Sequence, residues 1–360
     1  MKKITLVHII NGLHQGGAET ALYRLISSLD HRYYDITVIS LSTAGIYDHK
    51  ISDLGVNFYR FPFNRFSFIK PFMSLTRCLY RLRPDCITTW MYHSNLIGGI
   101  AGRFAGCRNI IWNIRSSGVY LKLSTSIVNR ICAILSPILP KKIIGCSQFS
   151  IKNHIMAGYD KTKFIYIPNG VDTDLFTPSQ NHPESDTFGM LSRFHPHKGF
   201  FTFLKAIPLV NRFKPVSFIM AGNGVSESEE LLNFTQGTEF RSLKRLPAFL
   251  DTPLFYHQLS FFISPSDAEA FPNVVAEAMS CGLPCIVTDV GDSALIVGDT
   301  GIIIPPNDPE AIAEACITFL KLGQDQRREL SNKARDRVLT LFTIKKMIQS
   351  YHELYISLKD

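Results

Sequence analysis

Two glutamates eight positions apart, Glu269 and Glu277, form the part of the sequence with the clearest chemical potential. An apolar, strand-like run ends shortly before Glu269, and we expect a helix that Asn273 caps and Val274 begins. Glu269 would then lie in the loop before the helix, and Glu277 on its first turn. The backbone N–H groups near Phe271, Asn273 and Val274 would point between the two carboxylates, where the helix N-terminus attracts anions.

A ligand with hydroxyl groups at both ends and a diphosphate between them would fit this arrangement. One carboxylate would accept hydrogen bonds from a sugar, the helix N-terminus would bind the diphosphate, and the other carboxylate would accept from a ribose. A simple capping turn with two solvated glutamates is the alternative. The apolar neighbours and the position at the end of a strand favour the binding interpretation.

A second loop carries two cations beside the expected start of a helix. In the segment MLSRFHPHKGF at 190–200, a strand ends at Leu191 and Gly199 opens the next helix. Arg193 and Lys198 lie between them. Two fixed positive charges beside a helix N-terminus would stabilise a diphosphate and the negative charge that develops when it leaves.

Two patterns resemble metal sites, and we interpret neither as one. His195 and His197 are two residues apart in a loop that offers no third ligand nearby. Asp172 and Asp174 form the D-x-D pair that can hold a divalent ion under a sugar diphosphate, but they follow the expected domain junction, and the cationic loop already supplies positive charge. We therefore expect neither a metal ion nor a cofactor.

Two glycine-rich loops also follow predicted strands. Gly16 and Gly17 would let the backbone approach a ligand, and the helix behind them would offer N–H groups to an anion. This loop does not match G-x-G-x-x-G, and no acid lies at the end of the second strand, so a phosphate or substrate loop and a plain tight turn remain as interpretations. The loop AGNG at 221–224, which contains Asn223, closes a later strand at the corresponding edge.

Composition and length indicate a folded chain of two domains. The chain has 360 residues, of which 46% are hydrophobic and 19% charged. The N-terminal run MKKITLVHII breaks too early for a signal peptide and is typical of a buried strand, and no window approaches the roughly 18 apolar residues of a membrane span. The eight cysteines are scattered without a C-x-x-C pair. These features predict a cytoplasmic protein.

The charge is divided unevenly along the chain. Residues 1–170 contain 21 Lys and Arg against 7 Asp and Glu, a net charge of +14, whereas residues 171–360 contain 17 against 23, a net charge of −6. A domain this basic should attract anions such as phospholipid head groups, lipid-linked phosphates or nucleic acid.

Within the basic half, residues 58–84 form a tract in which aromatic and basic side chains alternate, here called the aromatic–basic tract. Its members are Phe58, Tyr59, Arg60, Phe61, Phe63, Arg65, Phe66, Phe68, Lys70, Phe72, Arg77, Tyr80, Arg81 and Arg83. Such a tract suits the head-group zone of an anionic membrane, and a single-stranded nucleic-acid surface uses similar residues. A third interpretation buries half of the aromatics and leaves the bases solvated. We predict a membrane surface and no nucleic acid.

The order of the elements predicts an α/β protein with two doubly wound parallel sheets. In the first half we expect strands at Ile4–Ile10, Asp35–Leu41, Cys86–Thr89, Asn109–Ile114, Lys142–Cys146 and Phe164–Ile167. The pattern restarts after Gly170 with strands at Thr187–Leu191, Val216–Ala221, Phe261–Ser264, Cys285–Thr288 and Gly301–Ile304. Helical patterns separate most of these strands, and ligands of such folds bind at the carboxyl ends of the strands.

Together these motifs resemble glycosyltransferase family 4, whose members are retaining enzymes of the GT-B fold, with two Rossmann-like domains and an active site between them. The resemblance rests on GGAE at 16–19, IPNGVDTDLF at 167–176, SRFHPHKG at 192–199, AGNG at 221–224 and EAFPNVVAEAMSCGLPCIVTDVGD at 269–292, in which Glu-x7-Glu is the signature. It implies an acceptor-binding domain at 1–168, to which a C-terminal helix at 343–360 returns, and a nucleotide-sugar-binding domain at 169–342.

The resemblance also assigns roles to residues. It implies that Glu277 binds the ribose, that Glu269 faces the transferred sugar, and that Arg193 and Lys198 bind the diphosphate. Glu269, Arg193 and Lys198 would be the catalytic group, and the remaining donor contacts would come from Gly16, Gly17, Asn223, Phe271, Asn273 and Val274.

Two positions depart from the family pattern. Ala270 stands where many relatives have glycine, and Arg115 lies in the region after Asn113 where many relatives have a histidine. Arg115 is a candidate for a donor-side or acceptor-side role. His93 is a candidate acceptor-side residue, and a structural histidine is the alternative.

The predicted reaction moves a sugar from a nucleotide diphosphate sugar to an acceptor hydroxyl with retention of configuration and without a metal ion. The basic first domain favours a lipid-linked, phosphate-bearing acceptor at the inner face of the cytoplasmic membrane, in the assembly of lipopolysaccharide, O-antigen, capsule or a similar glycan. A nucleotide-sugar epimerase of the same fold and a catalytically silent binding protein are the alternatives.

Overall fold

Two parallel β-sheets organise the chain. The computed structural model describes residues 3–14, 16–64, 67–180, 185–248 and 251–359. Arg65 and Phe66 of the aromatic–basic tract, and Asp360 at the end of the expected C-terminal helix, lie outside the described residues. The chain divides into two units, residues 1–170 with 344–360, and residues 171–343. The expected junctions, after residues 168 and 342, lie within two residues of these points.

The first unit contains a seven-stranded sheet with strand order β3-β2-β1-β4-β5-β6-β7. Its strands are β1 (Ile4–Ile10), β2 (Tyr34–Ser40), β3 (Asn57–Arg60), β4 (Cys86–Trp90), β5 (Ile110–Ile114), β6 (Lys142–Gly145) and β7 (Phe164–Tyr166). Its helices are α1 (Gly17–Ser28), α2 (Tyr47–Ser52), α3 (Ile69–Leu82), α4 (Tyr92–Phe104), α5 (Leu123–Leu135) and α6 (Gln148–Met156).

The second unit contains a six-stranded sheet with strand order β10-β9-β8-β11-β12-β13. Its strands are β8 (Thr187–Leu191), β9 (Ser217–Ala221), β10 (Leu243–Leu246), β11 (Phe261–Ser264), β12 (Cys285–Thr288) and β13 (Ile302–Ile304). Its helices are α7 (Phe200–Phe213), α8 (Glu229–Phe234), α9 (Thr252–Tyr256), α10 (Asn273–Ser280), α11 (Ser293–Val297), α12 (Pro309–Leu320) and α13 (Gln324–Leu341).

The prediction of two doubly wound parallel sheets is confirmed. Every strand pair in both sheets is parallel. In each sheet the order of the strands reverses beside the first strand of that unit, between β1 and β4 and between β8 and β11. The loops that follow these four strands are therefore the places where this fold binds ligands.

The final helix, α14 (Ile344–Ser357), belongs to the first unit. It buries Met347, Tyr351 and Tyr355 in the core that also contains β1 and α1. The Tyr34 hydroxyl and His352 Nδ1 are 2.6 Å apart and join the helix to β2. The last helix thus completes the core of the unit in which the chain begins.

The aromatic–basic tract forms the edge strand β3 and the helix α3. Of its seven described aromatic side chains, four are half-buried and pack against the cores of the first unit, namely Phe58, Phe61, Phe63 and Phe72, and the other three are exposed. The interpretation that places about half of the aromatics against the core therefore agrees with the structure. Arg60 pairs with Asp48 at 2.6 Å, whereas Lys70, Arg77 and Arg81 are exposed. Among the described residues, no helix has the length and apolar character needed to cross a membrane.

Candidate active site

In the second unit, the cationic loop, the AGNG loop and the loop after β11 lie against one another. The Ser192 and Phe194 amides donate hydrogen bonds to the carbonyls of Ala221 (2.9 Å) and Asn223 (2.8 Å). The Asp267 amide donates to the His197 carbonyl at 3.0 Å. The loops that follow three neighbouring strands, β9, β8 and β11, therefore form one surface at the carboxyl edge of the sheet.

Two glycines make this close approach of backbones possible. Gly222 has a φ of +144°, and a Cβ at this position would lie 1.8 Å from the Ser192 carbonyl oxygen. Gly199 has a φ of +67°, and its Cβ would lie 1.9 Å from the Pro265 carbonyl oxygen. Both positions require glycine because side chains there would collide with backbone atoms and strain the chain.

The structure brings Lys198 and Glu269 into direct contact. Lys198 Nζ lies 2.5 Å from Glu269 Oε1, with side chains 22% and 12% exposed. The Ser266 hydroxyl donates a second hydrogen bond to the same oxygen at 2.8 Å. Glu269 is thus oriented by a cation from the loop after β8 and by a hydroxyl from its own loop.

Glu277 is held by a tyrosine that the sequence analysis did not identify. The hydroxyl of Tyr256, the last residue of α9, donates to Glu277 Oε2 and to the Val274 carbonyl, each at 3.2 Å. Burial and the neighbouring Glu277 carboxylate raise the pKa of Tyr256 well above its usual value, so the phenol stays protonated as a donor. Twenty-one residues separate the two side chains, so no local pattern could reveal the pair.

Two details of the expected helix are wrong. Asn273 does not cap α10; Pro272 is the N-cap, with extended backbone, and Asn273 is the first helical residue. Glu277 consequently lies on the second turn of α10. Glu277 is also only 7% exposed, so the interpretation as a solvated glutamate does not hold.

Three further residues assigned to the donor, Arg193, Asn223 and Phe271, lie in the loops after β8, β9 and β11. Arg193 and Asn223 are exposed, and Phe271 is buried, with its ring packed against Phe342. The Ala270 carbonyl accepts a hydrogen bond from the Asp292 amide at 2.9 Å.

Neither pattern that resembles a metal site forms a cluster of ligands. The His197 amide donates to His195 Nδ1, and burial together with the charges of Arg193, His197 and Lys198 lowers the pKa of His195. Asp172 Oδ1 accepts from the amides of residues 174 and 175. Within the described ranges, no three His, Cys, Asp or Glu side chains come together as metal ligands.

In the first unit, Gly16 and Gly17 lie where β1 leads into α1. Gly16 is the N-cap, and Gly17 begins the helix. Outside its chain neighbours and its own helix backbone, none of the described residues has an atom within 4 Å of the position that a Cβ on Gly17 would occupy. Asn11, in the same loop, accepts hydrogen bonds from the amide and hydroxyl of Ser94, at 2.7 and 2.5 Å, and ties this loop to the start of α4.

His93 follows a strained residue at the end of β4. Met91 has φ 73° and ψ 165°, a conformation that is nearly exclusive to glycine and costs about 1–3 kcal/mol elsewhere. Strain of this kind concentrates at functional sites. His93 itself is half-buried, and burial lowers its pKa.

Arg115, after β5, is held on two sides. Its guanidinium lies 5.6 Å from the centre of the Trp90 ring and donates a hydrogen bond to Asn169 Oδ1. Its Nε and one terminal nitrogen are buried and, among the described residues, have no hydrogen-bond partner. Two desolvated donors beside a strand end suit an anionic or hydroxylated ligand.

Comparison with known proteins places this geometry in a family. The family model described as Glycosyltransferase Family 4 matches residues 15–175, and the one described as Glycosyl transferases group 1 matches residues 185–322. The UDP-Gal:α-D-GlcNAc-diphosphoundecaprenol α-1,3-galactosyltransferase of Escherichia coli is 24% identical, over 99% of this chain and 97% of its own length. The capsular polysaccharide biosynthesis glycosyltransferase CapM of Staphylococcus aureus is 24% identical over 81% of both chains.

A solved structure shows the same fold. HepE from Anabaena, in complex with UDP, superposes with a TM-score of 0.85 at 18% identity, over 98% of this chain and 100% of its own. The two family models together span most of the sequence, and the structure has one parallel sheet in each of the two matched regions. The chain belongs to glycosyltransferase family 4 and is a hexosyltransferase-type glycosyltransferase of the GT-B fold.

Proposed function

We propose that the protein transfers a hexose from a nucleotide diphosphate sugar to a hydroxyl of a lipid-linked saccharide, with retention of anomeric configuration. The observation that carries this proposal is the Lys198–Glu269 pair at the carboxyl ends of β8 and β11, followed directly by the N-terminus of α10. The structures of HepE with UDP and with UDP-glucose support a nucleotide sugar as donor.

The donor fits the order of the groups on this edge of the sheet. Glu277 binds the ribose hydroxyls, and Arg193, Lys198 and the α10 amides bind the diphosphate. Glu269 binds hydroxyls of the sugar. On donor binding, the diphosphate competes with Glu269 for Lys198, so the carboxylate is released toward the sugar as the ammonium turns to the phosphate.

The transfer step needs no protein nucleophile in this proposal. The bond between the anomeric carbon and the diphosphate oxygen breaks, and the acceptor oxygen forms its bond on the same face of the sugar. The acceptor's proton passes to the departing phosphate oxygen. The transition state resembles an oxocarbenium ion, and the anion that leaves it is stabilised by Arg193, Lys198 and the helix N-terminus in place of a metal ion.

A lipid-linked acceptor and an anionic membrane surface are proposed from the first unit. The E. coli relative is named for a diphosphoundecaprenol acceptor. On α3, Ile69 and Met73 are 74% and 63% exposed beside the cations Lys70 and Arg77. Exposed apolar side chains rimmed by cations match the boundary between acyl chains and anionic head groups.

The membrane proposal is tested by flotation with liposomes that contain phosphatidylglycerol. Replacement of Lys70, Arg77 and Arg81 by Gln should release the protein, because each cation near an anionic surface contributes about 1 kcal/mol. Arg60→Gln is the matched control, since Asp48 already neutralises that charge. Continued flotation of the triple variant contradicts the proposal.

The proposed reaction is tested in two steps. A thermal-shift screen of UDP-, GDP- and ADP-sugars should identify a donor, because a ligand that binds only the native state raises Tm. Incubation of that donor with a diphosphoundecaprenol-linked saccharide should then yield a product with the donor's anomeric configuration by NMR. A product of inverted configuration, or conversion of the donor to its epimer without acceptor, contradicts it.

A further inference from the structure

The first unit contains an apolar cavity of about 310 Å³ that extends from His93. It lies between three helices and is lined by Phe68 and Phe72 at the start of α3, Ile97 and Ile100 of α4, and Val128 of α5, besides His93. Nothing in the donor-binding site of the second unit uses these residues. The cavity therefore requires an explanation of its own.

The two faces of α4 differ in how tightly they pack. On the sheet side, Cβ atoms added to Gly98 and Gly102 would lie 2.9 Å from Thr89 Cγ2 and 2.8 Å from Ile87 Cδ1. On the opposite side, Ile97 and Ile100 remain only half-buried. The glycines let the helix lie close to the sheet, while Ile97 and Ile100 on the outer face remain partly exposed.

The cavity begins at the carboxyl edge of the sheet of the first unit. His93 is the second residue of α4, directly after β4, and parallel strands present their carboxyl ends at the ligand-binding edge. Ile97 and Ile100 lie progressively farther along α4. A chain that enters beside His93 therefore runs along α4, away from the carboxyl edge of this sheet.

A second cavity, of about 730 Å³, adjoins the first and has a different character. Phe68 lines both, and the second also contacts Lys70, Met73 and Arg77 on the outer face of α3. The sequence contains no Asp or Glu between Leu54 and Asp85. An apolar cavity beside the exposed cations Lys70 and Arg77 is complementary to an amphiphile with an anionic head and an aliphatic chain.

We propose that the apolar cavity binds the aliphatic chain of the lipid-linked acceptor, with the end nearest the phosphate at His93 and the chain directed along α4. This inference rests on the proposed function for the identity of the acceptor. A cavity of about 150 Å³ lined by Leu, Ile and Phe stays dry and binds benzene. By that comparison, the volume here admits on the order of ten carbon atoms, or two isoprene units, and the rest of the chain stays in the membrane.

Photolabelling tests the occupant directly. The probe is a ten-carbon isoprenyl phosphate with a diazirine at the end of its chain, used in detergent with the full-length protein. We expect the label on peptides that contain Phe72 or Ile97–Ile100. Unlabelled isoprenyl phosphate should displace it, and inorganic phosphate should not.

A variant that fills the cavity provides a second, independent test of the occupant. Ile97→Trp should reduce labelling at least tenfold and raise KM at least tenfold for a ten-carbon acceptor, while KM for an acceptor with a methyl group in place of the chain stays within threefold. Ile134→Trp is the matched control, because Ile134 lies on α5 with 71% of its side chain exposed and adds the same ring outside the cavity. Circular dichroism and Tm show whether Ile97→Trp folds. If it does not, Val128→Phe is used as the cavity-filling variant instead.

The outcomes separate this inference from the proposed function. Labels elsewhere, or labelling of Ile97→Trp at the wild-type level, overturn the cavity assignment even where sugar transfer proceeds. If no donor is consumed with any acceptor, the proposed function fails, whatever the probe labels. A concentration-dependent dimer that Ile97→Trp abolishes, without labelling of the cavity, would assign this face to a second copy of the chain and overturn the inference.

Discussion

Replacement of Lys198 by Met should slow sugar transfer far more than it destabilises the fold. Lys198 Nζ lies 2.5 Å from Glu269 Oε1. At an effective dielectric constant of about 20, the gross attraction at this separation is about 7 kcal/mol. Desolvation of two side chains that are 22% and 12% exposed offsets most of it. We expect the pair to contribute a coupling energy of about 2 kcal/mol to the free energy of unfolding.

The effect on catalysis has a different origin. If Lys198 faces the departing diphosphate, its removal takes away a preorganised charge that acts mainly in the transition state. Losses of this kind lower kcat by about 10²–10³, equivalent to about 2.7–4 kcal/mol. The effect should appear in kcat rather than in KM, because the charge on the diphosphate grows as the glycosidic bond breaks.

A double-mutant cycle with Glu269→Gln distinguishes the two contributions. Urea unfolding should show that the double variant regains part of the stability lost in each single variant, because neither partner is then left as an unpaired charge. Release of nucleoside diphosphate should show no such recovery, because in the proposed donor complex the two side chains contact different parts of the donor. Lys214→Met is the matched control, since Lys214 pairs with Asp186 at 2.9 Å in the same unit, away from the site.

The result that refutes this reasoning is recovery of activity. If Lys198→Met/Glu269→Gln has a kcat within tenfold of the wild type while Lys198→Met alone is severely impaired, Lys198 serves only as the counterion of Glu269. The diphosphate would then have to be stabilised elsewhere.

Three further predictions use other features of the structure. Glu277→Gln should weaken UDP binding about tenfold or more in calorimetry, because the variant lacks the charged acceptor that we propose for the ribose hydroxyls, and Tyr256→Phe should have a smaller effect. Unchanged affinity in Glu277→Gln removes the ribose assignment. Burial lowers the pKa of His8 to about 3, so the unfolded chain binds a proton below about pH 6.5 that the folded chain does not, and stability is lost as pH falls from about 6.5 toward 3. Between pH 7 and pH 5 the free energy of unfolding should fall by about 2 kcal/mol. Urea unfolding at each pH measures this change through the fluorescence of Trp90 and Trp112, both buried in the first unit. His8→Asn should flatten the pH dependence, and an unchanged slope would show that His8 is not its cause. Activity should persist in EDTA, and a strict requirement for a divalent ion would show that the cationic loop does not replace a metal.

The central strands were predictable because they are buried on both faces. Strands such as Ile4–Ile10 and Phe261–Ser264 are mostly apolar and almost entirely buried, which is the pattern of a parallel sheet covered by helices. The predicted and observed bounds of the expected strands differ by no more than one residue at either end. This signal is strong since both faces of each strand must be apolar at once.

Two of the four edge strands were missed for the opposite reason. β3 (Asn57–Arg60) and β10 (Leu243–Leu246) each pair on one side only, and their side chains are mostly exposed or half-buried. Charged residues belong on such edges, where they discourage pairing with other chains. The same charges hide the strand from any search for apolar runs, so β3 was interpreted only as part of the aromatic–basic tract.

The candidate site was predictable where its members are close in sequence. The Glu-x7-Glu spacing and the cationic loop identified groups that the structure brings together at the ends of β8 and β11. The side chains that hydrogen-bond to Glu269 and Glu277 were harder to predict from the sequence. Ser266 is a common residue in a loop, and Tyr256 reaches Glu277 through a hydrogen bond between residues that lie 21 positions apart in the sequence. Tertiary contacts of this kind have no counterpart in local sequence.

The return of α14 to the first unit governs when that unit can fold. Tyr351 and Tyr355 are wholly buried in its core, yet the ribosome makes them after every residue of the second unit. The second unit is continuous in sequence, and its two ends meet where the Val171 amide donates to the Phe342 carbonyl at 2.8 Å. During synthesis the later-made unit can therefore reach its native state while the earlier-made one still waits for its last helix. Nascent chains that stop before residue 344 should expose the apolar core beside β1 and require chaperone protection.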